Sequence, residues 1–311
     1  MSKIYFRKKV LKVGTEASYG AGAGGSVTAV QTRELTVQPL EGDKLELNLD
    51  KPDFGSDLGS LIGKHVTVSF KVPLAGSGTA GTAPAWGVLM QLCGHSETVT
   101  ASTNVIYEPS DSVPPSGEFV FEIGKLVLQS ITGARGSVKL TTAKREYAWL
   151  EFTFMGLFNA PTAVGTPLTA DYSAWKKPVP FRAATVACSM FGQTVGLHRA
   201  TFDFGQQVEF YEHSEEESIQ ITDRKATFDG SFEEPDIGTH DFIADINSDT
   251  SGVLSYAHGI TAGNICTVTS PASQSLSVQR SDEQGISALQ VNGPMVAAAD
   301  GSEPDYTITL T

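Results

Sequence analysis

Apolar and polar side chains alternate along almost the whole chain, the signature of half-buried β-strands. In residues 66–72, Val66, Val68, Phe70 and Val72 fall on one face, and Thr67, Ser69 and Lys71 on the other. Residues 44–49 repeat the pattern with Leu45, Leu47 and Leu49. Further runs occupy 118–122, 125–129, 137–140, 149–154, 200–204, 207–211, 218–221, 226–232 and 306–310. Turn residues bound most of them, with 31 glycines to supply turns and bulges. Two stretches carry helical spacing instead. In 84–93, Trp86, Leu89, Met90 and Cys93 share a face behind Pro84, with Thr82 as the expected N-cap and Gly94 as the stop. In 239–247, Phe242, Ile243 and Ile246 share a face behind Thr239. Trp86, Leu89, Phe242 and Ile246 are therefore expected to anchor two short helices on the sheets. The predicted fold class is all-β, a sandwich or half-barrel with one short flanking helix per half.

The two halves also resemble each other. Residues 42–47 (GDKLEL) match 205–210 (GQQVEF) at an offset of 205 − 42 = 163. Residues 68–73 match 230–235 at 230 − 68 = 162, and each match leads through a proline towards a helix. Residues 136–140 face 274–278, and 150–156 face 287–293 at 293 − 156 = 137. The second copy thus lacks roughly 162 − 137 = 25 residues, assigned to an apolar hairpin at 117–133. The expected organisation is an N-terminal arm (1–33), a first domain (34–160), a proline-rich linker (161–183) and a second domain (184–311). Gly-rich 14–25 reads as the mobile part of the arm, and 74–83 as a small-residue loop.

Charge narrows the function classes. With 22 basic and 35 acidic residues the net charge is −13, which argues against a general DNA- or membrane-binding surface. No apolar run is long enough for a membrane span, and residues 1–10 lack the apolar core of a signal peptide, so synthesis in the cytoplasm is expected. Cys93, Cys188 and Cys266 are odd in number and far apart, which favours buried thiols over a disulfide framework. Six histidines form no H-x-x-x-H pair, no G-x-S-x-G occurs, and Glu215-Glu216-Glu217 reads as a solvated hairpin tip. No metal, cofactor or enzymatic activity is expected. Arg135, in the turn 132–136, has the chemistry for an intersubunit ion pair. The excursion at 48–63 offers Phe54, Leu58, Leu61 and Ile62 for burial on a partner.

The ordered series of 66–72, 75–87, 132–136, 161–176, 221–225 and 257–265 resembles the major tail tube proteins of tailed bacteriophages. The resemblance covers the chain from about Glu34 onward. It implies two tandem tail-tube domains whose inner sheets join those of neighbours around a channel. Six domains per ring would require three chains, giving stacked pseudo-hexameric rings. Implied partners are further copies of the chain, a tape measure protein, tail terminator and tail tip proteins, and double-stranded DNA in transit. The implied location is the virion tail, with no membrane. Under this reading Phe54, Leu58, Leu61 and Ile62 join successive rings, and Arg135, Arg199 and Arg224 pair with carboxylates within or between chains. Carboxylates are expected to dominate the lumen, because each phosphate-binding cation would slow DNA. The alternative is a carbohydrate-binding or adhesin-like double β-sandwich.

Overall fold

The computed structural model describes residues 3–311; Met1 and Ser2, the start of the expected arm, lie outside the described residues. The first half contributes β1 (Lys9–Thr15), β2 (Thr28–Val30), β3 (Arg33–Glu46), β4 (Gly59–Pro73), helix α1 (Gly87–Leu92), β5 (His95–Thr100), β6 (Asn104–Pro109), β7 (Gly117–Ile123), β8 (Val127–Ala143) and β9 (Trp149–Phe158). A two-residue strand, β10 (Thr162–Ala163), starts the connecting segment. The second half contributes β11 (Val186–Met190), β12 (Gln193–Thr194), β13 (Leu197–Asp203), β14 (Gln206–His213), β15 (Glu216–Arg224), β16 (Thr227–Glu233), helix α2 (Phe242–Asn247), β17 (Ser251–His258), β18 (Cys266–Gln274), β19 (Ser277–Glu283), β20 (Ile286–Pro294) and β21 (Thr307–Leu310). Among the described residues the fold is all-β with two short helices.

Two large antiparallel sheets face each other. One contains the continuous row β3-β4-β9-β8-β13-β16-β20-β19, with β7, β1 and β2 extending from the N-terminal half of β8. The other runs β12-β11-β17-β18-β21-β6-β5. The alternation read from the sequence decides which side is buried: Val66, Val68, Phe70 and Val72 point inward beside Phe152 and Phe154, and Phe202, Phe228 and Phe232 continue the layer. Aromatic pairs tie the sheets together, with Phe202 at 5.3 Å from Tyr256 and Phe204 at 4.6 Å from Tyr306. One apolar cluster spans both halves.

Strand pairing reveals the duplication. The order β3-β4-β9-β8 recurs as β13-β16-β20-β19. Val37 pairs with Val68, and Ala200 with Gly230, so the ladders carry the offsets 200 − 37 = 163 and 230 − 68 = 162. Val68 pairs with Phe154 and Gly230 with Val291, giving 291 − 154 = 137. One match needs correction. Phe154 pairs with Gly136 and Val291 with Val278, so Gly136 corresponds to Val278, not Gln274. The extra apolar hairpin of the first half is β7 with the start of β8, whereas β18 passes almost directly into β19.

The expected division into separate domains is not seen. Strand β8 pairs with β13, and β21 lies between β18 and β6, so both sheets run through the boundary between the repeats. The arm is also corrected. Leu11, Val13 and Val30 are buried, and β1 pairs with both β2 and β7. Its Gly-rich turn is ordered by the buried Glu16 carboxylate, which accepts from the amides of Gly20 (2.9 Å), Gly22 (3.2 Å) and Gly133 (3.0 Å) and from Ser116 Oγ (2.6 Å). The connecting segment is a strap without long strands, held where Trp175 Nε1 donates to Ala29 O (3.0 Å) and Leu168 N to a Glu122 oxygen (2.5 Å).

Both helices are shorter than expected. Trp86, not Thr82, precedes α1, because 79–87 is spent on turns closed by Thr82 N to Thr79 O (3.3 Å) and Gly87 N to Pro84 O (2.9 Å). Trp86 and Leu89 are fully buried, and Trp86 Nε1 donates to Ala75 O (2.8 Å). Helix α2 is capped by Asp241, whose Oδ1 accepts from Ile243 N and Ala244 N, both at 3.0 Å. Phe242 packs on Phe232 at 5.0 Å, but Ile246 is only half-buried and is not a core anchor. So short a helix offers the sheet little beyond its first residue.

Candidate functional site

Two small-residue stretches from opposite halves meet. Gly76 N donates to Asn264 Oδ1 (2.6 Å) and Gly78 N to Gly263 O (2.9 Å). A side chain at Gly76 would collide with the Gly263 carbonyl, which explains the small residues there. This contact is structural. The chemically distinctive features are the outer face of the eight-strand row, its two edges and two hairpins.

The outer face is polar and bears a row of alternating charge running across the repeats. Lys71 pairs with Glu151 (3.0 Å) and Glu34 (3.2 Å), and Lys139 with Asp203 (2.7 Å). The ladders place Glu151 opposite Lys139 as well. Arg199 and Asp229 lie on the same face. The face therefore carries charges of both signs side by side. Opposite charges on directly paired residues attract, whereas a wall of carboxylates would repel itself across every strand.

Both edges of the row are open among the described residues: β3 pairs only with β4, and β19 only with β20. Their counterparts inside the chain are joined to each other. By the repeat, β3 corresponds to β13 and β19 to β8, and β8 and β13 form a ladder from Lys139↔Asp203 to Ala143↔Arg199.

The β3–β4 hairpin ends in an exposed apolar tip. Leu45, Leu47, Leu49, Phe54, Leu58 and Ile62 are all exposed, while Leu61 is less so. Asp57 braces the turn by accepting from Leu49 N (2.9 Å) and pairing with Lys51. The four candidate contacts of this excursion are thus brought onto one hairpin. Its counterpart, β14–β15, has an acidic tip at Glu215 to Glu217 and folds back over the outer face of the first repeat. There Phe210 stacks on His65 at 5.5 Å, and Ile219 is fully buried.

Arg135 holds this second hairpin down. It is buried and donates to Ile219 O (2.7 Å), Gln220 Oε1 (2.6 Å) and Pro114 O (3.0 Å), with its guanidinium over Tyr19. Burial lowers its pKa, opposed by nearby Tyr19 and Glu16. The expected intersubunit ion pair is corrected: every partner is a carbonyl oxygen within the chain, two from the β14–β15 hairpin and one, Pro114 O, from the segment between β6 and β7. Arg224 likewise finds its carboxylates inside the chain, at Asp111 (3.5 Å) and Asp305 (3.7 Å). Replacing Arg135 with Met should cost about 2 kcal/mol, since charge-assisted bonds to buried carbonyls are lost. Faster amide exchange confined to β14 and β15 is the expected signature, and unchanged exchange there would refute the anchoring role.

All three cysteines are free and buried, and burial raises each thiol, Cys188 and Cys266 to about 12. Among the described residues, no group of three or more His, Cys, Asp or Glu is placed to hold a metal ion. No helix among them is long and apolar enough to cross a membrane. No protein-family model matches the chain, and no curated protein sequence matches it.

Proposed function

We propose that this chain is the structural subunit of a bacteriophage tail tube, closing head-to-tail into rings that stack around a channel for double-stranded DNA. The observation that carries this reading is the strand junction inside the chain. One repeat already joins the next through β8 and β13, and the equivalent edges, β19 and β3, are left free at the two ends of the row. Pairing β19 of one copy with β3 of the next repeats the internal junction. Such an interface is heterologous, so it closes only when the rotation per chain divides a full turn. Three chains, six repeats, satisfy this in the manner the sequence resemblance implies. Closure also removes two long unpaired edges that would otherwise template aggregation. The balanced outer face suits a channel wall, because its lysines are held by carboxylates and are not free to bind phosphate. Tape measure, terminator and tip proteins are the partners this role entails, and the virion tail is the location. An adhesin-like function has no comparable support, since exposed Tyr147, Tyr172 and Tyr211 are scattered over different elements.

Negative-stain microscopy and native mass measurement of the purified protein test the proposal together. Rings or tubes with a mass step of three chains are expected. A monomer that stays monomeric at high concentration would sink it, and six-chain rings would overturn the stoichiometry alone.

A further inference from the structure

We infer that an open groove on the second repeat is the seat of the β3–β4 hairpin from a second copy of this chain, so that the exposed apolar tip joins neighbours within a ring. The inference rests on the ring reading above and names the contact that reading leaves open.

The first repeat supplies the template. There the β14–β15 hairpin of the following repeat lies across β4 and β9, with Phe210 on His65 and with Glu212 and Glu217 beside Leu157 and Phe158. The ladder offsets carry this seat to the second repeat. His65 becomes Thr227 (227 − 65 = 162), Leu157 becomes Pro294 (294 − 157 = 137) and Phe158 becomes Met295 (295 − 158 = 137). These three residues line a groove of ≈ 810 Å³, together with Leu276 and Val296. The groove is therefore the same seat, open in the single chain.

The occupant follows from the same offsets. Phe210 corresponds to Leu47 (210 − 47 = 163). Val208 pairs with Ile221 as Leu45 pairs with Ser60, so Ile219, opposite Phe210, corresponds to Leu58. Ile219 is 0% exposed, whereas Leu58 is 87% and Leu47 65% exposed. Ile219 is buried and Phe210 half-buried in the second repeat, while their counterparts are bare in the first, at the hairpin whose seat lies on the neighbour. Pairing β19 of one copy with β3 of the next places that hairpin over β16 and β20, where the groove is. The geometry is lateral, whereas the sequence suggested contact between rings. Phe54, at the end of the longer tip, reaches beyond the seat.

A chain carrying Leu47→Cys and Thr227→Cys tests this with a short bis-maleimide, since both positions are exposed and the native cysteines are buried. Interchain links closing at ring size are expected, and neither single variant should link. Rings that assemble without linking would overturn this contact and leave the tube reading intact; absence of any assembly would overturn both. In parallel, Leu47→Asp should abolish assembly while leaving the melting temperature of the monomer unchanged. Normal rings from that variant would also overturn the contact.

Discussion

Replacing Gly205 with Ala is expected to destabilise the fold by about 3 kcal/mol and to loosen the β14–β15 hairpin. Gly205 sits at the bend between β13 and β14 with φ +71°, a left-handed conformation that costs an L-residue about 1–2 kcal/mol. An added Cβ would also lie 1.9 Å from Lys225 O and 2.3 Å from Lys225 C, backbone atoms that cannot swing aside as a side chain would. Lys225 N donates to Gly205 O (3.0 Å), so relieving the clash pulls apart the bond that closes the base of the hairpin. Ile219 and the carbonyl that Arg135 holds would then move with it. Gly192 provides the control: its φ is +79°, but nothing lies within 4 Å of an added Cβ. Gly192→Ala should therefore cost only the strain, about 1 kcal/mol. Urea melts of the two variants read the difference, and equal losses would show that the close approach at Gly205 has no energetic weight.

The bend also shows why part of this molecule was legible in the sequence and part was not. Gly42 and Gly205 occupy matching positions, so the repeat was visible there, yet only Gly205 takes a positive φ. β3 continues through its counterpart to Glu46, whereas β13 stops and the hairpin folds over. Nothing in GDKLEL against GQQVEF distinguishes these outcomes; the seat under the second hairpin does. Alternation identified the buried faces of β4, β9 and β16 because period-two patterning is what a half-buried strand requires. The same period could not fix β19, since a slip of four residues keeps every side chain on its face.

Other failures have specific causes. A Gly-rich segment looks flexible unless a group gathers its amides, and Glu16 does so with donors from three separate segments. Arg135 looked available for a partner because its acceptors are two backbone carbonyls and the neutral Gln220 amide, none of which carries a charge that the sequence could match to it. A division into domains was expected because a proline-rich strap reads as a linker, although the strands on either side of it, β8 and β13, pair with each other. Of the candidate site, the apolar hairpin tip was readable as exposed leucines and a phenylalanine. Its seat was not, because Thr227 reaches Pro294 and its neighbour Met295 only through the pairing of β16 with β20.

Lowering the pH from about 6.5 to about 4 is expected to remove about 3 kcal/mol of stability through His95 alone. This ring, on the first residue of β5, is buried against α1 and against Tyr306, which directly precedes β21. Its Nδ1 contacts Met90 O (3.0 Å) and must donate, because a carbonyl only accepts; Nε2 then accepts from Tyr306 Oη (2.8 Å). Phe204 packs edge-on at 5.9 Å. The site thus fits the neutral tautomer. Burial pulls the pKa from 6.5 to about 4, with the Met90 carbonyl opposing the shift and the Arg224 charge adding to it. Between those two values the unfolded chain holds a proton that the folded chain does not. Stability therefore rises with pH across that window, and on acidification it falls by about 1.4 kcal/mol per unit until the folded ring also protonates. His258 is depressed in the same direction by its own burial. Carboxylates titrate nearby as well, so the His95 share must be isolated by substitution. His95→Gln keeps a donor for Met90 and an acceptor for Tyr306 but cannot take up a proton. The variant should lose markedly less stability than the wild type between pH 6.5 and pH 4, measured by urea melts at each pH. If both proteins lose the same amount, His95 does not carry the acid sensitivity of this fold.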